Sequence, residues 1–89
     1  MTQQELTNII ILQTKKVLTD SGYPDQLVSP DSKFSDLQLD SLQFIELLSQ
    51  LEEATRVELL DSEFYGVQTI SDASELIKQK LGENRGIQD

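Results

Sequence analysis

The segment Phe34-Ser35-Asp36-Leu37-Gln38-Leu39-Asp40-Ser41-Leu42-Gln43-Phe44-Ile45-Glu46-Leu47-Leu48-Ser49-Gln50-Leu51-Glu52-Glu53 decides how this chain is read. Its first third is an irregular polar run with scattered apolar residues. Its remainder has helical periodicity. Phe44, Leu47, Leu48, Leu51 and Thr55 fall at i, i+3, i+4, i+7 and i+11, so one side of a helix is suited to a core. Asp40 stands where the periodicity begins and is a good N-cap, because its carboxylate can accept free amide N–H groups of the first turn. Ser41 then lies in that first turn with its hydroxyl near the surface. A phosphate borne there would sit at the positive end of a helix, which suits Ser41 to covalent attachment rather than catalysis.

Leu42 and Ile45 do not belong to the apolar stripe. They lie about 160° and about 100° from its centre. Gln43, Glu46, Ser49, Glu52 and Glu53 surround them on the same outer side. The helix therefore shows the outside a small apolar patch ringed by polar and acidic groups, directly beside Ser41. Single exposed Leu and Ile residues are common on any surface. It is the position next to Ser41 that makes this pair a candidate docking patch.

The run Phe34 to Leu42, followed by Ile45-Glu46-Leu47 and Leu51-Glu52-Glu53, resembles the acyl and peptidyl carrier proteins. The resemblance extends from the first helix to about Leu81. It implies an all-α, four-helix carrier bundle, with three longer helices, one short helix and a long loop between the first two. It also implies 4′-phosphopantetheine, taken from coenzyme A and held covalently on Ser41, with Asp40 and Leu42 completing the Asp-Ser-Leu motif. The partners it implies are a phosphopantetheinyl transferase and acyl- or aminoacyl-loading and condensing enzymes with basic docking surfaces. Three positions depart from the family pattern. Gln38 stands where Gly is usual, Leu60 replaces a frequent Pro, and the usual aromatic residue near Ala54 and Thr55 is missing. Glycine permits positive φ, so either Gln38 tolerates the local geometry or the loop runs differently.

Composition excludes several chemistries. The chain has 89 residues, enough for one small domain with a modest core. It contains neither Cys nor His, which rules out disulfides, a Ser–His–Asp triad and His or Cys zinc sites. No calcium-loop pattern or Gly-rich phosphate loop is present. No apolar run is long enough to span a bilayer and no signal segment opens the chain, so membrane insertion is not expected and a cytoplasmic location is. Between Asp36 and Glu63 there are eight acidic residues and one base, Arg56, and eight less one leaves −7 of the total −9. A field of that sign repels nucleic acid and attracts basic protein surfaces.

In chain order, Thr2 and Glu5 form a capping box for a helix to about Thr19. Leu6, Ile9, Ile10 and Val17 make its stripe, with Gln13 an imperfect member and Ile11, Leu12 and Leu18 off it. Gly22 ends this helix. In the loop from Tyr23 to Asp36, Leu27, Val28, Phe34 and Leu37 are expected to bury side chains, and Asp31 or Ser32 to open a short turn. Val57-Glu58-Leu59-Leu60 is not read as a strand. Asp61 caps a single helical turn stopped by Gly66. Ser71 caps a last helix built on Ala73, Leu76, Ile77 and Leu81, with Lys78 and Lys80 at its negative end and Gly82 as its stop. Residues 1–82 thus form the carrier domain and 83–89 a disordered tail.

The functional expectation is a free-standing, monomeric, non-catalytic acyl carrier in a dedicated fatty-acid, polyketide or lipopeptide-type pathway. One alternative is a peptidyl or aminoacyl carrier of a nonribosomal peptide pathway. Another is an acidic helical interaction module without a cofactor. A metal site is not expected.

Overall fold

The computed structural model describes the backbone of residues 1–88 and the side chains of residues 1–82 other than Tyr65. Three α-helices follow one another: α1 (Gln3–Asp20), α2 (Ser41–Thr55) and α3 (Ile70–Gln88). Two 3₁₀ segments, Phe34–Asp36 and Asp61–Gly66, lie in the connections. The expected all-α bundle is therefore observed, its short fourth helix being the second 3₁₀ segment. An isolated antiparallel bridge between Lys33 and Thr69 is the only extended pairing among the described residues.

α1 is the central element, because it packs against both α2 and α3. Its expected capping box is formed. Glu5 N–H donates to Thr2 Oγ1 at 3.1 Å and Thr2 N–H to Glu5 Oε1 at 2.8 Å. Its buried residues are Leu6, Ile10, Thr14, Val17 and Leu18. Two sequence assignments change here. Thr14, rather than Gln13, completes the stripe, and its hydroxyl is satisfied by the Ile10 carbonyl at 2.7 Å. Leu18, placed off the stripe, is fully buried because a helix covered on two sides needs a wider apolar face. The helix ends in a Schellman motif. Gly22 takes φ +97°, Tyr23 N–H reaches Leu18 O at 2.8 Å and Gly22 N–H reaches Thr19 O at 3.1 Å.

The first connection is fastened at its far end. Val28 and Leu37 are buried and Phe34 is half-buried, but Leu27 is 86 % exposed and does not pin the loop as expected. Ser29 and Ser32 close the turn, with Ser29 N–H donating to Ser32 Oγ at 2.8 Å. Beyond it the loop backbone meets the start of α3. Phe34 N–H donates to Gln68 O (2.9 Å), Ile70 N–H to Ser32 O (3.1 Å) and Ser71 N–H to Pro30 O (2.9 Å). Thr69, and not Ser71, is the cap of α3. Its Oγ1 accepts Asp72 N–H at 3.1 Å while Asp72 Oδ2 accepts Thr69 N–H at 3.2 Å. Ser71 lies in the first turn, where its amide is already taken by the loop.

α2 ends at Arg56, which adopts a left-handed conformation (φ 60°, ψ 34°) uncommon for a side chain with a Cβ. Val57 and Leu59 then point inward and Glu58 and Leu60 outward, without a partner strand. Leu60, rather than Asp61, stands before the 3₁₀ segment. Its N–H donates to Glu63 Oε1 at 3.0 Å, a bond that Pro at this position would forfeit. Glu63 also pairs with Lys80, which therefore serves as an anchor in mid-helix rather than as a terminal cation. α3 runs through Gly82, where the sequence placed its stop. One glycine costs a helix only about 1 kcal/mol and need not end it. The side chains of the expected tail, 83–89, lie outside the described residues. A single core joins Leu6, Ile10, Leu47, Leu51, Phe64, Ile77 and their neighbours.

Two outcomes follow. Lys80 and the Leu60 N–H hold the Glu63 carboxyl below the usual carboxylate range. A depressed folded value contributes stability above the ordinary range and loses it as pH falls through the lowered value. Denaturant titrations should therefore find Glu63→Gln less stable than wild type at pH 7, with the difference closing below about pH 4. Arg56→Gly should raise the urea midpoint, corresponding to a gain in unfolding free energy on the order of 0.5 kcal/mol, because relief of left-handed strain exceeds the added chain entropy.

Candidate functional site

Asp40 is the N-cap of α2, as its sequence position predicts. Its Oδ1 accepts Gln43 N–H at 2.8 Å, and Gln43 Oε1 accepts Asp40 N–H at 2.9 Å. Phe44 N–H closes the first turn on Asp40 O at 2.9 Å. Ser41 is thereby the first helical residue, and it is exposed. The capping bonds engage Asp40, Gln43 and Phe44 and leave the Ser41 hydroxyl and the Ser41 and Leu42 amides aside. Gln38 does not adopt positive φ, since Arg56 is the only non-glycine residue that does so among the described residues. The loop thus reaches the helix without the left-handed step that a glycine would license.

The patch beside Ser41 is present. Leu42 is 76 % and Ile45 50 % exposed, with Glu46, Ser49 and Glu53 also at the surface. Two members of the expected ring are occupied elsewhere. Gln43 is half-buried in the cap, and Glu52 Oε2 accepts the Leu59 N–H at 2.9 Å, steadying the chain after α2. Behind the patch, Phe44 packs edge-on against Phe34 (5.6 Å, 75°) and Phe64 (5.9 Å, 76°). These rings seat the first turn of α2 on the loop before it and the 3₁₀ segment after it. Edge-to-face pairs of this kind contribute about 0.5–1.5 kcal/mol each beyond area burial.

One contact near Ser41 has no signature in the sequence. Gln43 Nε2 donates to Ser21 Oγ, across 22 positions of chain, and Ser21 Oγ–H donates to Val17 O at 2.8 Å. The last turn of α1 is thereby tied to the first turn of α2. Ser21, Tyr23, Gln38, Leu39, Asp40 and Gln43 line a shallow depression of about 330 Å³ at this junction. Among the described residues no group of His, Cys, Asp or Glu is arranged to hold a metal, and no helix is long and apolar enough to cross a membrane.

Comparison with known proteins places the chain and its fold in a family. The family model described as the phosphopantetheine attachment site matches residues 14–77. An acyl carrier protein of Solidesulfovibrio magneticus is 37 % identical over 73 residues, covering 80 % of this chain and 94 % of that protein. One from Prochlorococcus marinus is 36 % identical over 84 residues, covering 92 % of this chain and 100 % of that protein. The solution structure of an acyl carrier protein from Pseudomonas fluorescens involved in mupirocin biosynthesis superposes with a TM-score of 0.70 at 28 % identity, over 82 % of this chain and 68 % of that one. With its helices in the same arrangement and a matched region spanning most of its length, this chain belongs to the phosphopantetheine-carrying acyl carrier protein family.

Proposed function

We propose that Ser41 is the residue that bears 4′-phosphopantetheine, and that the loaded protein presents acyl groups as thioesters to successive enzymes of a dedicated pathway. The observation that carries the assignment is the exposed Ser41 at the first position of α2, beside the exposed Leu42 and Ile45. The residues present fit the group. A phosphodiester on Ser41 Oγ would meet a helix N-terminus whose first two amides are not engaged by the capping bonds. When bound, the arm supplies a terminal thiol for thioester formation, which this cysteine-free chain lacks.

In attachment, the Ser41 oxygen bonds to the pantetheine-bearing phosphorus of coenzyme A. The bond from that phosphorus to the nucleotide phosphate breaks, adenosine 3′,5′-bisphosphate leaves, and the hydroxyl proton passes to a base of the transferase. The chain has no His to activate Ser41 itself, which supports a carrier acted upon by others rather than an enzyme. Leu42, Ile45, Glu46 and Glu53 would meet these partners through a small apolar contact inside an acidic rim. Contacts of this kind form fast, dissociate readily and weaken with salt.

The similar proteins, both acyl carrier proteins, support acyl rather than peptidyl cargo. The structural likeness to a carrier involved in mupirocin biosynthesis supports a specialised pathway. The absence of cysteine suits a reducing compartment such as the cytoplasm.

Incubation with coenzyme A and a broad-specificity phosphopantetheinyl transferase should add one pantetheinyl group by intact mass, and Ser41→Ala should remove the addition. A modified Ser41→Ala protein would overturn the assignment. Glu46→Lys should raise the transferase KM several-fold with kcat unchanged, and added salt should do the same to wild type.

A further inference from the structure

We infer that Ser21 and Gln43 form a clamp that positions Ser41 for phosphopantetheinyl transfer. The inference rests on Ser41 being the attachment residue. Gln43 sits two residues after Ser41, in the same turn of α2, and its amide is used at both ends. Its Oε1 accepts the Asp40 N–H, which fixes which end of the amide faces the cap and turns Nε2 toward Ser21. Ser21 Oγ–H is committed to the Val17 carbonyl, so its lone pairs are what it offers Gln43. The donors and acceptors therefore run in one consistent direction: Gln43 Nε2 to Ser21 Oγ, and Ser21 Oγ–H to Val17 O.

The clamp does something the capping box alone does not. The box sets where α2 begins, but it is local to residues 40–43. The Ser21 bond refers that start to α1, the helix that both other helices pack against. The Ser41 hydroxyl is thereby held at a fixed place relative to the body of the protein. Without the bond, the loop end at Gln38-Leu39-Asp40 and the first turn of α2 would be held at this end by apolar packing alone, from Leu37, the partly buried Leu39 and Phe44 with its two ring contacts. A transferase that docks on Leu42, Ile45 and Glu46 would still bind, but the attacking oxygen would be less well aimed. Loss of aim lowers kcat, whereas loss of docking raises KM.

The test is transfer from coenzyme A by a broad-specificity transferase, with kcat and KM measured separately on full-length protein. Ser21→Ala should lower kcat about fivefold to tenfold and leave KM within about twofold. Ser21→Thr, which keeps the hydroxyl, should restore the wild-type rate. In a double-mutant cycle, adding Ser21→Ala to Gln43→Met should cost no further kcat, because Gln43→Met already removes the bond to Ser21, along with the bond to the Asp40 N–H. Should Ser21→Ala fail to fold, Gln43→Met breaks the clamp from the other side at similar side-chain length. Wild-type kcat in either variant, or a loss confined to KM, would overturn the clamp while leaving the Ser41 assignment standing. A wild-type protein inert to transferases would defeat that assignment instead.

Discussion

The functional end of the molecule depends on the reciprocal bonds between Asp40 and Gln43. They settle which amide is the first without an intrahelical partner, and so where α2 starts. Each residue of a helix is turned about 100° from the last. A start displaced by one position would leave the core stripe of Phe44, Leu47, Leu48 and Leu51 in place only if Ser41 left its terminal position. Cap and stripe agree here, so one short segment sets both what is buried and what is presented. The role proposed for Ser41 needs that agreement, since a hydroxyl that is to be loaded must face outward from a helix that otherwise faces in.

Presentation also requires that the rest of the bundle hold the segment still. α1 lies against both other helices and shows a broad apolar face, which is why Leu18 is buried beside Val17. The ring contacts of Phe44 lock the first turn of α2 to the loop before it and the 3₁₀ segment after it. Glu63 joins that segment to α3 through Lys80. The acidic groups left over, Glu46 and Glu53 among them, face solvent.

Much of this was legible in the sequence, for reasons that differ by element. The α2 stripe and the Asp40 cap are local patterns, and local patterns survive folding when the tertiary contacts agree with them. Thr14 carries no apolar signature in the sequence, yet a threonine that returns its hydroxyl to the carbonyl four residues back packs like an apolar residue. Thr69 and Ser71 are equally plausible caps by residue type. The choice is made by the Pro30 and Ser32 carbonyls, which occupy the Ser71 and Ile70 amides. Leu27 was expected inside, but only Val28 of that pair is buried. Gln43 and Glu52 were read as surface groups, because the Ser21 and Leu59 atoms that engage them belong to other segments of the chain. Gln38 can stand where Gly is usual without backbone strain, since the chain there does not enter the region that glycine favours.

The backbone bonds from Ile70 and Ser71 to Ser32 and Pro30 have a consequence for how the molecule opens. The N-terminus of α3 borrows its acceptors from the crossover loop, so neither can detach alone without stranding the other's polar groups. Hydrogen exchange at those amides would report their joint release as one cooperative unit. Length changes in the loop are accordingly best tolerated upstream of Ser29, around the exposed Leu27, where no shared bonds would be cut.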